Sequence, residues 1–281
     1  MREKRVLVCA ALLFVLVSVL ALDCRLVIRQ YTIDTDEIDT PVRIALITDL
    51  HSCYYGERQS HLLEALDAQN PDIVLLGGDM FDDHRDNTNT ELFLDGICGR
   101  YPCYYVSGNH EVWSGEDAFF VMMNALVEQY GITVLSGETV TLQIGGSTIH
   151  ISGADDPDRL RFRDVDPYSQ GLTQQMEALS AEVTKDGYWI LLAHRPEYFE
   201  TEYRKAPFDL ILCGHAHGGQ VRIPYLLNGL FAPDQGLFPA YAGGRFDEDG
   251  RTMIVSRGLA RESTAVPRVF NRPELVIIDL T

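Results

Sequence analysis

The sequence predicts an α/β domain that is preceded by an N-terminal transmembrane helix. Two observations lead to this fold class. Short apolar runs of the buried-strand type alternate with segments of helical periodicity, and a long apolar run follows basic residues at the N-terminus. The chain has 281 residues, of which 46% are hydrophobic, so it can bury the core of about one large domain.

The N-terminal apolar run extends over the 17 residues 6–22 and is interrupted only by Ser18; three basic residues precede it: Arg2, Lys4 and Arg5. This pattern is typical of a secretion signal or a signal anchor, and the length is at the short end of what spans a bilayer. Cleavage after Ala21 is the alternative, but the residues before it fit a cleavage site poorly, and we expect an uncleaved anchor. The positive-inside rule then predicts a single-pass protein of the cell membrane with its main domain outside the cytoplasm.

We therefore divide the chain into residues 1–31, the signal anchor and the start of a stalk that reaches about Thr40, and residues 32–281, the main domain. The strands of this domain are predicted from short runs rich in Val, Ile and Leu. These runs occupy residues 42–48, 72–76, 103–106, 139–144, 147–152, 188–193, 209–213, 252–256 and 274–280. Gly145-Gly146 between the fourth and fifth runs indicates a hairpin.

Helices are predicted between several of these strands. Three leucines share one face of residues 57–68 before Pro71, which cannot continue a helix. Residues 91–97 and 171–183 are also predicted to be helical. Ser114 and Asp117 have the spacing of a capping box, so a further helix is predicted from there to about residue 129.

The overall charge and the cysteines restrict the class of function. The chain carries 23 basic and 41 acidic residues, a net charge of −18, so we expect no nucleic-acid-binding surface. An anionic substrate is still compatible, because bound metal ions reverse the local sign of a site. The six cysteines form no C-x-x-C motif, which disfavours a thiolate zinc site. Cys98 and Cys103 are close in sequence, but Cys103 is predicted to begin a strand and we do not expect them to pair.

Polar groups follow five of the predicted strands. In order they are Asp49 and His51 (D-x-H), Asp79 and Asp82 (G-D-x-x-D), Asn109, His110 and Glu111 (G-N-H-E), His194, and His215 and His217 (G-H-x-H). A single Asp or His after a strand is most often a turn, a cap or a surface residue. Such a set at successive strand ends is not expected by chance, and in open α/β sheets ligands bind outside the carboxyl ends of the strands.

These residue types suit a pair of divalent metal ions. Carboxylate and imidazole ligands together favour zinc, manganese or iron(II). In D-x-H and G-H-x-H, alternate side chains of an extended segment point to the same side, so each pair can reach a common site. Gly78 and Gly108 allow the backbone to turn sharply beside such ions.

The ordered motif set, from about residue 42 to 220, resembles the calcineurin-like metallophosphoesterase superfamily. The extended G-H-A-H-G-G-Q and the N-terminal anchor make it similar to a membrane-associated bacterial branch with YkuE-like and YaeI-like members, often described as UDP-2,3-diacylglucosamine hydrolases. The resemblance implies a four-layer α/β/β/α sandwich of two mixed sheets for the catalytic domain at residues 32–281.

The resemblance also implies a role for each site residue. Asp49, His51 and His217 would hold one metal ion; Asn109, His194 and His215 would hold a second; Asp79 would bridge them. His110 would contact phosphate and protonate the leaving oxygen, Glu111 would orient His110, and Asp82 would be structural or would support a ligand. The implied cofactors are two divalent ions, manganese, zinc or iron.

The implied activity is hydrolysis of phosphodiester, phosphomonoester or pyrophosphate bonds by metal-activated hydroxide. The expected partners are the membrane, through the N-terminal helix, and a phosphorylated small molecule or a lipid-linked or nucleotide-sugar substrate such as UDP-2,3-diacylglucosamine. One alternative is a non-catalytic homologue that binds metal and a phospho-ligand. Another is a β-lactamase-like metallohydrolase, whose H-x-H-x-D-H motif is absent.

Three further features have open interpretations. Arg195 is either a phosphate contact or a surface salt-bridge residue. Residues 155–166, which mix Asp and Arg, are expected to be a solvated loop. The apolar residues of 225–244 would either receive an acyl chain or, as we favour, hold an irregular segment against the core.

Overall fold

Two six-stranded sheets form the centre of the molecule in the computed structural model, which describes residues 2–162, 171–262, 264 and 266–281. The strands are β1 (Val27–Ile33), β2 (Val42–Ile47), β3 (Ile73–Leu76), β4 (Cys103–Tyr105), β5 (Thr133–Val134), β6 (Glu138–Ile144), β7 (Ser147–Ala154), β8 (Tyr188–Ala193), β9 (Leu210–Cys213), β10 (Phe231–Ala232), β11 (Gly236–Leu237), β12 (Gly244–Glu248), β13 (Arg251–Val255) and β14 (Glu274–Leu280). The helices are α1 (Arg2–Ala21), α2 (Ser60–Asp67), α3 (Thr88–Ile97), α4 (Asn109–Trp113), α5 (Glu116–Glu128) and α6 (Leu172–Glu182).

Both large sheets are mixed. The first has the strand order β1-β14-β2-β3-β4-β5, in which only the β14–β2 pair is antiparallel. The second has the order β12-β13-β9-β8-β7-β6, in which the two outer pairs are antiparallel and the inner pairs are parallel. Strands β10 and β11 form a separate small ribbon.

Side chains of the central strands point alternately to the two faces of each sheet, and this alternation explains how the sheets and helices form layers. In β2, Ile44 and Leu46 pack between the sheets, whereas Ala45 and Ile47 pack against helices α2, α3 and α5. In β8 the inner and outer faces alternate in the same way, and the outer face packs against α6. The chain is therefore an α/β/β/α sandwich, and the fold implied by the resemblance is confirmed.

The predicted strands are confirmed to within one or two residues, and Cys98 and Cys103 are free thiols. The capping box at Ser114 is wrong. An additional short helix, α4, ends there, and the Ser114 hydroxyl donates to the carbonyl oxygen of His110 at 3.0 Å. Gly115 is the N-cap of α5.

The predicted stalk is also wrong in part, because residues 27–33 are strand β1. This strand pairs in parallel with β14, from Val27 opposite Glu274 to Ile33 opposite Leu280. Four of its seven residues are half-buried or buried, and the other three are polar and exposed. The strand therefore lacks the uniformly apolar pattern from which the central strands are predicted. We propose that the main domain begins before Val27 rather than at residue 32.

Helix α1 lies outside this core. Its apolar side chains are exposed along its length, and Phe14 has an exposed fraction of 73%. It is the one helix among the described residues that is long and apolar enough to cross a membrane, a test that a signal sequence also passes. Its last residue, Ala21, is buried, and the carbonyl oxygen of Ala21 accepts a hydrogen bond from the Phe270 N–H at 2.6 Å.

Residues 225–244, which follow strand β9, do not all pack against the core as expected. Tyr241 is buried there, but many apolar side chains of residues 225–244 point to solvent and do not hold the segment against the core. The exposed ones are Tyr225, Leu226, Phe231, Leu237 and Phe238.

The role of β1 gives a test of the domain boundary. A chain that begins at Asp23 keeps every β1–β14 pair, whereas a chain that begins at Thr32 loses nearly all of them. We expect the shorter chain to melt at a lower temperature, by about 2–4 °C for each kcal/mol of stability lost in a domain of this size. Thermal unfolding followed by circular dichroism measures the difference, and equal melting temperatures would show that residues 23–31 are a dispensable stalk.

Candidate metal centre

The five polar groups predicted from the sequence meet at one end of the two sheets. Asp49 and His51 follow β2, Asp79 follows β3, and Asn109 follows β4, all in the first sheet. The second sheet supplies three histidines after β8 and β9, His194, His215 and His217. All seven side chains are buried. The parallel arrangement of these strands within each sheet brings their carboxyl ends together, as the sequence predicts.

The ligand atoms form two groups that share one residue. The first group is Asp49, His51, Asp79 and His217, and the second is Asp79, His194 and His215; within each group the atoms lie within 4.8 Å of one another. Asp79 Oδ2 lies 3.1 Å from His194 Nε2 and 3.6 Å from His51 Nε2. A carboxylate between two sets of donors is what a pair of adjacent metal ions requires.

Several of these atoms have no hydrogen-bond partner among the described residues. They are Asp49 Oδ2, His51 Nε2, Asn109 Oδ1 and His217 Nδ1. A buried polar atom without a partner costs about 1–3 kcal/mol, more if it is charged. A divalent cation in the cluster would satisfy these atoms, so the residues present fit metal ions.

The electrostatics of the metal-free cluster agree with this interpretation. Burial alone would lower the pKa of His194, but the Asp79 carboxylate raises it to about 10. The pKa of Asp79 is held well below its usual value, against the effect of burial, by His194 and then His51. The His217 pKa is lowered well below 6.5 by burial and then by His51, which leaves a neutral imidazole. A proton on His194 thus supplies the positive charge that Asp79 needs.

The backbone of the cluster is unusual for L-residues. Five of the site residues have positive φ angles between 46° and 65°: Asp49, His51, Asp79, His215 and His217. Such conformations cost about 1–3 kcal/mol each and concentrate at functional sites. The close approach of the backbone at position 78 to His194 also requires glycine. The φ angle of Gly78 is 86°, and a Cβ there would lie 2.6 Å from His194 Nδ1.

The surroundings of His110 correct the expected role of Glu111. The hydrogen-bond partner of the His110 imidazole among the described residues is Asp83, with Nδ1 2.6 Å from Asp83 Oδ1. The buried Glu111 carboxylate instead accepts the backbone N–H groups of Asp79 at 2.9 Å, Phe81 at 2.9 Å and Gly108 at 2.8 Å. Glu111 therefore holds the turns after β3 and β4 together.

Two neighbouring aspartates have separate roles. Asp82 Oδ2 lies 3.2 Å from His51 Nδ1, so Asp82 supports a candidate ligand. Asp83 was missed from the sequence, although the Asp82-Asp83 pair directly after the G-D-x-x motif was a signal for a second carboxylate here. The His110 side chain is 24% exposed, which leaves it open to a substrate beside the buried cluster.

Arg268 is a second residue that sequence analysis missed. It is fully buried, and its guanidinium donates to the carbonyl oxygens of Ala260 at 2.5 Å and Arg257 at 2.7 Å. Asn271 nearby donates to the carbonyl oxygen of His217 at 2.8 Å. Arg268 Nη1 also donates to the His217 carbonyl oxygen at 3.4 Å, so Arg268 and Asn271 both support the turn of the G-H-x-H motif. No local sequence pattern indicates these bonds.

Arg195 is neither a phosphate contact nor a surface residue. It is buried, with Nε 2.6 Å from Asp156 Oδ2 and Nη1 2.8 Å from Asp234 Oδ2, so carboxylates already neutralise it. Asp155 and Asp156 are buried as well, and the expectation of a solvated loop is wrong for that part of residues 155–166. Arg163, Asp164 and Asp166 lie outside the described residues.

Several known proteins are similar in sequence to this chain. An uncharacterized metallophosphoesterase of Helicobacter pylori (strain J99) is 29% identical over 82% of this chain and 58% of that protein. The phosphodiesterase YaeI of Escherichia coli (strain K12) is 28% identical over 85% of this chain and 82% of that protein. The chain spans between 49% and 63% of the length of the first curated relatives that it matches.

A solved structure agrees with the fold. Plasmodium GAP50, the anchor in the inner membrane complex, superposes with a TM-score of 0.52 at 12% identity, over 85% of this chain and 81% of that chain. At this identity the likeness concerns the fold alone. The decisive match is to the calcineurin-like phosphoesterase family, which covers residues 42–219, the segment that contains both ligand groups. The chain therefore belongs to the calcineurin-like phosphoesterase family.

Proposed function

We propose that the chain is a dinuclear metal-dependent phosphoesterase that hydrolyses phosphodiester, phosphomonoester or pyrophosphate bonds. The observation that carries this proposal is the position of Asp79, a buried carboxylate shared by two groups of candidate ligands. Family membership supports the same reaction class.

The ligand assignment follows the two groups. Asp49, His51 and His217 would hold the first ion, and Asp79 would be shared with the second. His194 and His215 would hold the second ion together with Asn109, whose buried Oδ1 has no hydrogen-bond partner among the described residues. When bound, two such ions offset the charge of phosphate oxygens and lower the pKa of a water molecule towards neutrality. The mixed oxygen and nitrogen donors suit manganese, zinc or iron.

His110 is the proposed proton donor to the leaving oxygen. Its Nδ1–H donates to Asp83, which fixes the ring and leaves Nε2 for the substrate. The backbone N–H of His110 donates to Asp79 Oδ1 at 2.9 Å. This bond positions the residue that carries the proposed proton donor next to the shared carboxylate. The His110 side chain of this pair is 24% exposed, and this partial access favours an enzyme over a non-catalytic homologue that only binds a phospho-ligand.

The proposed location is the cell membrane, with α1 as a single span and the catalytic domain outside the cytoplasm. The apolar side chains of α1 are exposed, and a uniformly apolar helix that no protein covers needs a bilayer around it. A membrane location makes lipid-linked or nucleotide-sugar diphosphates, such as UDP-2,3-diacylglucosamine, the substrates to test first.

The bridging role gives the central test. The full chain reconstituted with manganese should bind about two ions, as in dinuclear sites, and should hydrolyse bis-(4-nitrophenyl) phosphate. Asp79→Asn should lose both ions and nearly all activity, because its carboxylate serves both groups. Asp49→Asn is the matched control and should lose mainly one ion.

Equal metal contents and rates in the two variants, measured by elemental analysis and a chromogenic assay, would contradict the bridging role of Asp79. Two bound ions with no hydrolysis of any phosphoester would favour the binding-protein alternative.

The His110 role predicts a dependence on the leaving group. His110→Ala should reduce turnover by about 10²–10⁴-fold for an alkyl phosphodiester, the usual contribution of a positioned acid. The loss should be much smaller for a nitrophenyl ester, whose leaving oxygen hardly needs a proton, and metal content should stay the same. Asp83→Asn should show the same contrast with a smaller effect, since it only positions the ring. Equal losses for both leaving groups would assign His110 to phosphate binding instead.

The proton on His194 predicts that metal binding is linked to pH. At pH 8 this imidazole keeps its proton in the metal-free chain, because its pKa is raised to about 10. A metal ion must displace that proton, so affinity should rise with pH up to about 10, and titration calorimetry in buffers of different ionisation enthalpy should detect proton release. The stability that the protonated pair contributes to the metal-free chain is fully present below pH 6.5 and is lost as pH rises through about 10. Binding enthalpies that do not depend on the buffer would show that the imidazole is already neutral.

A further inference from the structure

The loop that follows the metal centre exposes several large apolar side chains. Tyr225 and Leu226 have exposed fractions of 107% and 83%, and Ile223 is about half exposed. Leu237 and Phe238, later in the same loop, are each 67% exposed. Surfaces of soluble monomers rarely group apolar residues in this way, and such groups mark interaction sites. We call residues 223–238 the apolar loop.

The apolar loop and the end of α1 contact the same short segment. The Phe270 N–H donates to the carbonyl oxygen of Ala21, the last residue of α1, at 2.6 Å. The backbone N–H of Arg222, directly before the loop, donates to the carbonyl oxygen of Val269 at 2.9 Å. Phe270 and residues 222–228 line one cavity of about 430 Å³. The loop therefore lies beside the point where α1 joins the domain.

The strand directions place this junction at the end of the sheets that carries the metal centre. β1 runs parallel to β14, and β14 runs antiparallel to β2. The start of β1, where α1 leads in, is thus at the carboxyl end of β2, which carries Asp49 and His51. The apolar loop also returns to the centre, since Asp234 Oδ2 lies 3.1 Å from His215 Nε2.

The charges at the junction suit the phosphate groups of a bilayer surface. The chain has a net charge of −18, yet the side chains of three arginines are exposed here: Arg25 by 81%, Arg29 by 48% and Arg272 by 36%. Asp23 pairs with Arg25 and Arg272, and Glu274 Oε2 lies 3.8 Å from Arg29 Nε, so these two carboxylates offset part of this charge. Tyrosine is enriched at membrane–water interfaces, and arginine side chains near the end of a membrane helix extend to the interface.

We propose that the apolar loop docks on a phospholipid bilayer, so that the metal centre opens at the membrane surface. The inference rests on the proposed function in one respect, the assignment of α1 as a membrane span. It deepens that function, because a centre held in this orientation reaches phosphate groups anchored in the membrane. The apolar side chains enter the interface, and the arginines around the junction contact phosphates.

Fluorescence quenching in vesicles tests the docking without measuring activity. The full chain is reconstituted in phosphatidylcholine vesicles with brominated or ordinary acyl chains, with Leu226→Trp and Tyr225→Trp as the loop probes. The wild-type signal of Trp113 and Trp189 is subtracted. Side chains of interfacial segments lie about 5–10 Å into the headgroup and acyl boundary, so bromine should quench the loop probes by roughly half or more.

Two further variants serve as controls. Phe14→Trp, in the middle of α1, should be quenched strongly if α1 spans the bilayer. Val121→Trp should not be quenched beyond wild type. Val121 is 68% exposed on α5, which packs at the β5 edge of the first sheet, opposite the β1 edge where α1 joins.

The outcomes separate the two proposals. Quenching at positions 225 and 226 but not at 121 supports the docking. Quenching at position 14 alone overturns the docking and leaves the membrane span intact. Quenching at positions 225 and 226 without position 14 supports the docking and overturns the span, and no quenching at any probe overturns both.

Discussion

The buried carboxylate of Asp79 is the group on which the rest of the site depends. A carboxylate at the end of a central strand, removed from water, is unfavourable unless positive charge lies beside it. His194 comes from the second sheet and His51 from the first, at 3.1 and 3.6 Å from Asp79 Oδ2. The carboxyl ends of both sheets must therefore meet at one point, and this requirement determines how the two sheets stack.

The turns around Asp79 are held by groups that do not themselves take part in the chemistry. Five candidate ligands sit at positive φ angles, which L-residues rarely adopt. Glu111 ties the turns after β3 and β4 through three backbone N–H groups, and Arg268 supports the turns of the second sheet through backbone carbonyls. These bonds hold the backbone that carries the candidate ligands, as an efficient metal centre requires.

The acidic surface does not conflict with a phosphorylated substrate. At physiological ionic strength charges are screened over about 8 Å, so the local charge of the centre matters more than the net charge of −18. Under the proposed assignment, two divalent ions held by two aspartates and neutral histidines would give the site a positive charge. The exposed arginines at the α1 junction lie at the same end of the sheets as the centre.

The sequence by itself determined the central strands, the apolar N-terminal helix and the set of residues that meet after the strands. These features are local. An apolar run predicts a strand, and an Asp or His directly after it lies at the carboxyl end of that strand. Only the tertiary structure decided the pairing of His110 with Asp83 rather than Glu111, the buried Arg195–Asp156 pair, strand β1 and the exposure of the apolar loop. Each of these depends on a partner, or on the lack of one, far away in sequence. A local pattern such as the Asp82-Asp83 pair can mark a residue, but it does not identify that residue's partner, because the contact arises only in the folded chain.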